Sequence, residues 1–184
     1  MNKKLYKQYM SDILFWKEIT QGKLDEKDIM IYLLLRYNGR LSDAKIARML
    51  GLSPSTIRRR RIHMQKEGYL KILGIIIFQY TGISYADVVV SFDPKYTYEK
   101  FKEFVEEAKN NPRIYEVTLY AEKGKILLRF FGEDVKHMSQ HILQFLSNRP
   151  FIKDYEVYIV TESPKLFIIP MKKGIDMAEV PAQK

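Results

Sequence analysis

Cysteine is absent from this 184-residue chain, which removes disulfides, thiolate nucleophiles and Cys-ligated zinc at once. Histidine is scarce, with three in the whole chain. No run approaches the roughly 20 apolar residues of a membrane span. The N-terminus carries lysines but neither a clean apolar core nor a small-residue cleavage site, so it does not read as a signal peptide. Phosphate-cradling glycine loops of the GxGxxG and GxxxxGK(S/T) types are missing. Serines such as Ser91 and Ser163 lie in no nucleophile elbow, and the acids are scattered without catalytic pairing. These absences lead to the expectation of a soluble, cytoplasmic protein that is not an enzyme, with no cofactor, no metal and no membrane partner.

What is present suffices for real cores: 46% apolar residues and 13% aromatic residues in the chain argue against disorder. The net charge is +9, and its placement says more than its size. Residues 1–80 hold 16 Lys/Arg against 7 Asp/Glu, whereas residues 81–184 hold 15 of each. The positive excess is confined to the first part, as neutralising nucleic-acid phosphates requires.

Within that part, residues 42–68 read SDAKIARMLGLSPSTIRRRRIHMQKEG. Ser42 can cap a helix whose inward face carries Ile46, Ala47 and Leu50. Gly51 stands where the chain must leave that helix in a left-handed conformation. Ser53-Pro54 restarts it with a capping oxygen and a proline at the first helical position. Ile57 and Met64 form the second helix's apolar seam, and Gly68 ends it. Two helices around a tight turn, with four consecutive arginines in the second, make a helix-turn-helix whose second helix enters the DNA major groove. On a helical wheel Ser55, Thr56, Arg59 and His63 face away from the seam, flanked by Arg58 and Arg60. With Ser53 they form the expected DNA-contacting set. Arginine reads guanine bidentately for about 1–3 kcal/mol per good pair, and flank arginines clamp phosphates. Lys45 and Arg48 are weaker phosphate candidates; Arg36 and Arg40 read as surface charge.

The organisation falls into five segments. Residues 1–23 form a helical extension with Leu5, Tyr9, Ile13 and Trp16 on one stripe of a helix over 3–20. That stripe needs a covering surface, on its own domain or on a partner subunit, and we expect it to buttress a dimer. Residues 24–68 form the DNA-binding domain, opening with a helix from Asp25 to Tyr37 whose core is Ile29, Leu33 and Leu34. Residues 69–84 read as a β linker. Residues 85–162 follow the order βαββαβ, with strands at 87–92, 114–120, 125–131 and 153–161 and helices at 97–110 and 133–147, the split pattern of the ferredoxin-like fold. Residues 163–184 are a tail with one apolar run, 166–169, read as an edge strand or exchanged arm. The fold class is thus α+β.

Taken together, LDEKDIMIYLLLRYNGRLS (24–42), IARMLGLSPSTIRRR (46–60), EGYLK (67–71) and the βαββαβ order with ILLRF (126–130) resemble the Lrp/AsnC family of transcription regulators. The resemblance implies a homodimer built through the ferredoxin-like domains, with assembly to higher oligomers, that sets two helix-turn-helix units on a pseudo-palindromic stretch of double-stranded DNA. Members of the family usually carry an aliphatic residue where this chain has Arg61. Either the helix turns to bring Ile62 inward, or Arg61 lays its stem along the core. The turn 121–125 carries Lys123 and Lys125 where the family has acids near its effector site, so the effector-binding residues are unknown. Two alternatives stand beside a sequence-specific regulator. One is an architectural DNA-binding protein of low specificity; the other, a tetrapyrrole enzyme like the sirohaem decarboxylases that also resemble this family.

Two further patterns are weighed. Glu133, His137 and His141 share a helical spacing that can hold a metal, though a solvated face accounts for them as well. Tyr115, Tyr120, Phe130, Phe131, Tyr155 and Tyr158 lie on strands and could stack RNA bases. Without an RNP-like motif and with no net charge in that half, core or dimer interface explains them better.

Overall fold

Five α-helices precede the first strand among the described residues of the computed structural model, which are 3–166 together with Ile169 and Pro170. The chain divides into two compact units, one running to Ile75 and one beginning at Ile76.

The helical unit opens with α1 (Lys3–Gln8) and α2 (Met10–Ile19), two helices where one was expected. Tyr9, at φ −102° and ψ 14°, breaks the helical course between them. Leu5 and Ile13, on either side of that break, are both buried. Their covering surface is α3 (Glu26–Tyr37) of the same chain, where Trp16 meets Tyr32 edge to face at 5.1 Å. Leu5, Ile13 and Trp16 of the stripe are therefore covered within their own unit, the first of the two surfaces expected for it. Burial around α3 extends beyond Ile29, Leu33 and Leu34 to Met30, Ile31 and Leu35, because α2 as well as α5 packs against it.

Helices α4 (Asp43–Leu50) and α5 (Pro54–Lys66) follow the sequence reading closely. Ser42 Oγ accepts from the Lys45 amide at 3.2 Å, and Ser53 Oγ from the Thr56 amide at 3.1 Å. Gly51 adopts φ 66°, ψ 41°, a left-handed position that a side chain disfavours. Ile46, Ala47 and Leu50 of α4 meet Ile57 and Met64 of α5 in one core, each large apolar side chain contributing roughly 1.5–3 kcal/mol.

Residues 69–83 contain no strand, against the expected β linker. Isoleucine-rich composition favours strands only where a neighbouring strand offers hydrogen bonds, and none pairs with this segment among the described residues. Instead Phe78–Tyr80 makes one turn of 3-10 helix, and the Phe78 ring lies 5.8, 5.2 and 5.1 Å from those of Tyr85, Tyr115 and Phe131.

The second unit is the ferredoxin-like βαββαβ arrangement. In order come β1 (Ser84–Phe92), α6 (Tyr98–Asn110), β2 (Ile114–Leu119), β3 (Lys125–Gly132), α7 (Val135–Leu146) and β4 (Ile152–Val160). The strands form one antiparallel sheet in the order β2-β3-β1-β4. Ala86, Val88 and Val90 of β1 and Ile126, Leu128 and Phe130 of β3 point to the helices and form the core with Phe104, Met138 and Ile142. Gly132 ends β3 against α7 so closely that an added Cβ would lie 2.8 Å from the Met138 nitrogen. Beyond the sheet, β5 (Lys165–Leu166) pairs with β6 (Ile169–Pro170) as a separate two-stranded ribbon. It does not extend the four-stranded sheet, so the edge-strand expectation is replaced; residues 171–184 of the expected tail lie outside the described residues.

Candidate nucleic-acid interface

Helix α5 presents its N-terminus as a knot of hydroxyls. Ser53 Oγ lies 2.9 Å from Ser55 Oγ and 2.7 Å from Thr56 Oγ1 while capping the helix. Small side chains and free amides at a helix start allow close approach and favour negative charge. Ser53, Ser55, Arg58, Arg59 and His63 are exposed, and Thr56 is half-buried beside them. No ion pair to a described residue holds Arg58 or Arg59. Lys45 and Arg48 are exposed on α4.

Arg60 departs from its expected place. Its Nη1 lies 2.8 Å from Asp25 Oδ2 and 2.9 Å from Asp28 Oδ1, the two carboxylates at the start of α3. Those acids already form a capping box. Asp25 Oδ1 accepts from the Lys27 and Asp28 amides at 2.9 Å, and the Asp25 amide donates to Asp28 Oδ2 at 3.4 Å. Asp28 is the buried charged residue among those described, 8% exposed, and Arg60 is its counter-charge. Burial pushes the Asp25 carboxyl up, but the Asp28 amide and the Arg60 guanidinium outweigh it and hold the group below its ordinary range. The guanidinium is pulled down by burial and pushed up further by Asp28 and Asp25, so it stays charged.

Arg61 takes the second of the two courses open to it. Ile57 and Met64 keep the seam, and the Arg61 fork reaches Asp43, the first residue of α4, with Nε to Oδ1 and Nη2 to Oδ2 both at 2.8 Å. Its Nη1 also donates to Gln65 Oε1 at 3.0 Å. The Arg61 fork holds the Asp43 carboxyl below its usual range, against a smaller opposing effect of burial.

Spacing carried a signal for both pairs. Arg60 and Arg61 stand three and four residues after Ile57 and four and three before Met64, which puts them at the edges of the buried seam. The acids that meet them could not be located from periodicity, because they belong to other helices. Arg36, half-buried on α3, has its guanidinium 4.6 Å from the Tyr37 ring centroid and donates to the Tyr37 hydroxyl at 2.6 Å.

In the sheet unit, the helix face of α7 does not assemble Glu133, His137 and His141. Glu133 pairs with Arg113 at 2.8 Å and His137 Nδ1 with Asp134 at 2.8 Å, while His141 Nε2 stays 3.8 Å from Glu133. Across the sheet, the face without helices carries a charged chain. Arg129 bonds Asp87 at 2.9 Å and Glu116 at 2.8 Å, and Thr118 Oγ1 donates to Glu116 at 2.9 Å. Beside it sits the ring cluster of Phe78, Tyr85, Tyr115 and Phe131. Burial there pushes the Tyr115 hydroxyl up to about 12. Of the strand aromatics, Phe130 is core, whereas Tyr120, Tyr155 and Tyr158 are exposed. A hollow of about 630 Å³ lies against the β2–β3 turn, lined by Phe92, Tyr96, Phe101, Tyr120, Lys123 and Lys125.

Comparison with known proteins bears on both units. The AsnC-type helix-turn-helix domain matches residues 24–65. An uncharacterised HTH-type transcriptional regulator of Pyrococcus horikoshii is 33% identical over 158 residues, covering 86% of this chain and 99% of its own. A second regulator of that organism is 28% identical over 145 residues, 78% of this chain and 89% of its own. Among solved structures, a Neisseria meningitidis transcriptional regulator in complex with L-Met superposes with a TM-score of 0.67 at 22% identity, over 78% of this chain and 94% of that one. AsnC of E. coli superposes with a TM-score of 0.63 at 18% identity, over 78% of this chain and 95% of that one.

Proposed function

The chain belongs to the Lrp/AsnC family of helix-turn-helix transcription regulators, and on that footing we propose that it occupies promoter DNA as a homodimer, through Ser53, Ser55, Thr56, Arg58, Arg59 and His63. The observation that carries this reading is the exposed outer face of α5, where two arginines with no ion-pair partner among the described residues flank a hydroxyl-rich helix start. Arg59 and Ser55 face the base edges, and Arg58 with Lys45 and Arg48 neutralises phosphates. Function is exerted by occupancy and requires no chemistry.

The helix-free face of the sheet supports the dimer. It is rich in aromatic rings, and Tyr115 and Tyr158 remain exposed on it, as does an interface awaiting a second copy. A homodimer carries two α5 helices, one for each half-site. The hollow at the β2–β3 turn supports a small-molecule effector, since a neighbour of the same fold is a complex with L-Met. Lys123 and Lys125 line it together with Asp93 and Glu122, Lys125 pairing with Glu122 at 3.1 Å, so it offers groups of both signs to that effector; a thermal-shift screen of amino acids and carboxylic acids that moved no transition would count against it.

Selection from fragmented genomic DNA at about 150 mM salt, where non-specific phosphate binding is weakened, tests the main reading. A pseudo-palindromic motif upstream of a few genes is the expected result. Broad retention without a motif would make the protein an architectural coater, and no retention would overturn the proposal.

A further inference from the structure

Two of the four consecutive arginines of α5 are spent inside the fold. Arg61 engages Nε, Nη1 and Nη2 at once, two of them in a parallel fork to Asp43 that fixes both the spacing and the angle between α4 and α5. Arg60 bridges two carboxylates that themselves cap α3. The two braces lie on opposite flanks of the Ile57–Met64 seam, so together they oppose rotation of α5 about its own axis in either direction, in addition to the apolar packing. Resting on the DNA-binding reading above, we propose that Arg60 and Arg61 are positioning residues. They hold α5 against α3 and α4 so that Ser55, Arg59 and His63 reach base edges together, and neither of them contacts phosphate.

The energetic ordering favours this assignment. Drawing Arg60 out to a phosphate would leave the buried Asp28 carboxylate with little more than the 3.4 Å amide contact from Asp25. An uncompensated buried charge costs more than one solvent-exposed ion pair returns. For Arg61 the geometry decides: all of its three nitrogens that hydrogen-bond do so within the fold, at 2.8 to 3.0 Å. Burial of both side chains agrees, with Arg60 and Arg61 only 23% and 24% exposed. Rotation would misalign the outer face without removing a single positive charge from it. Specificity should then suffer while non-specific attraction does not.

The test uses the full chain and two duplexes: a fragment the wild-type protein retains from genomic DNA, and a shuffled duplex of the same composition. Affinity is measured against salt for the wild type, R58Q, R60Q, R61Q and the neutral pairs D28N/R60Q and D43N/R61Q, with thermal melts reporting the fold. A phosphate contact contributes about 0.9 to the slope of log affinity against log salt. R58Q is expected to lose about that much on both duplexes. R60Q and R61Q should keep the wild-type slope yet lose about tenfold in the ratio of retained to shuffled affinity, the size of one misread base pair. D43N/R61Q restores a hydrogen-bonded bridge and should recover part of that ratio, which a purely electrostatic role could not. If R60Q alone does not fold, D28N/R60Q removes the buried charge and carries the same readout. A slope loss of about 0.9 in either arginine variant, with an unchanged ratio, would overturn the assignment and leave the DNA-binding reading standing. Failure of the wild-type protein to bind either duplex would overturn both.

Discussion

The helical unit and the sheet unit both place arginine among carboxylates, but to different ends. In the sheet unit Arg129 sits between Asp87 and Glu116 on the helix-free face, in a half of the chain whose charges balance. In the helical unit the excess is positive, and the four-arginine run splits: Arg60 and Arg61 turn inward to acids while Arg58 and Arg59 stay in solvent. Net charge therefore marks which unit meets nucleic acid, but pairing decides which cations remain available to it. A run of like residues on a helix is not a run of like roles, because 100° per residue spreads four neighbours around the axis.

Several changes would break or sharpen the contrast between the units. The largest effect belongs to the sheet core: Phe104→Ala, which empties a fully buried ring position, should cost about 3–5 kcal/mol. Calorimetry should show one of two transitions falling; a shared shift would mean that the units unfold as one. Next comes R58Q/R59Q, expected to lower DNA affinity about a hundredfold at 150 mM salt by removing two phosphate or base contacts, with an unchanged melt. Neutralising the exposed Lys100 and Lys109 of α6 should leave affinity as it is, and an equal loss there would erase the distinction between the units.

Gly132→Ala is expected to destabilise the sheet unit by about 1–3 kcal/mol, since the new methyl would press on Met138 backbone that cannot give way. A chemical-denaturation midpoint equal to wild type would show that α7 shifts freely. The smallest effect is on acid stability. Asp25 and Asp43 have carboxyls lowered from 3.8 in the folded state, so the stability they contribute is complete above that value. It is lost as pH falls from there through the lowered native values. R61Q should flatten this decline for the Asp43 share, read as a smaller change in melting temperature between neutral and acid pH.

Much of the helical unit was legible because its signals are local. Ser42, Gly51, Ser53 and Pro54 each act on the backbone within four residues, and each does what its chemistry implies. The strand and helix order of the second unit was legible for a related reason, since inward and outward positions alternate along β1 and β3. What was not legible has another cause. The 69–83 segment has strand composition but no strand beside it, and which of its two possible covering surfaces the N-terminal stripe meets, here α3 of its own unit, is a matter of tertiary packing. A helical wheel puts Arg60 on the flank of the DNA-facing residues but does not show that Asp25 and Asp28 stand beside it.

The sequence by itself determined where helices start and stop, that a helix-turn-helix precedes a βαββαβ sheet, and that the positive excess lies with the former. Those follow from capping chemistry, periodicity and charge, which act over a few residues or are simply counted. Tertiary structure alone decided that Asp25, Asp28 and Asp43 claim two of the four arginines, and that Phe78 joins the aromatic face of the sheet. Such pairings depend on which surfaces the folded chain brings within hydrogen-bonding or van der Waals distance, and residues 32 positions apart carry no local trace of that encounter.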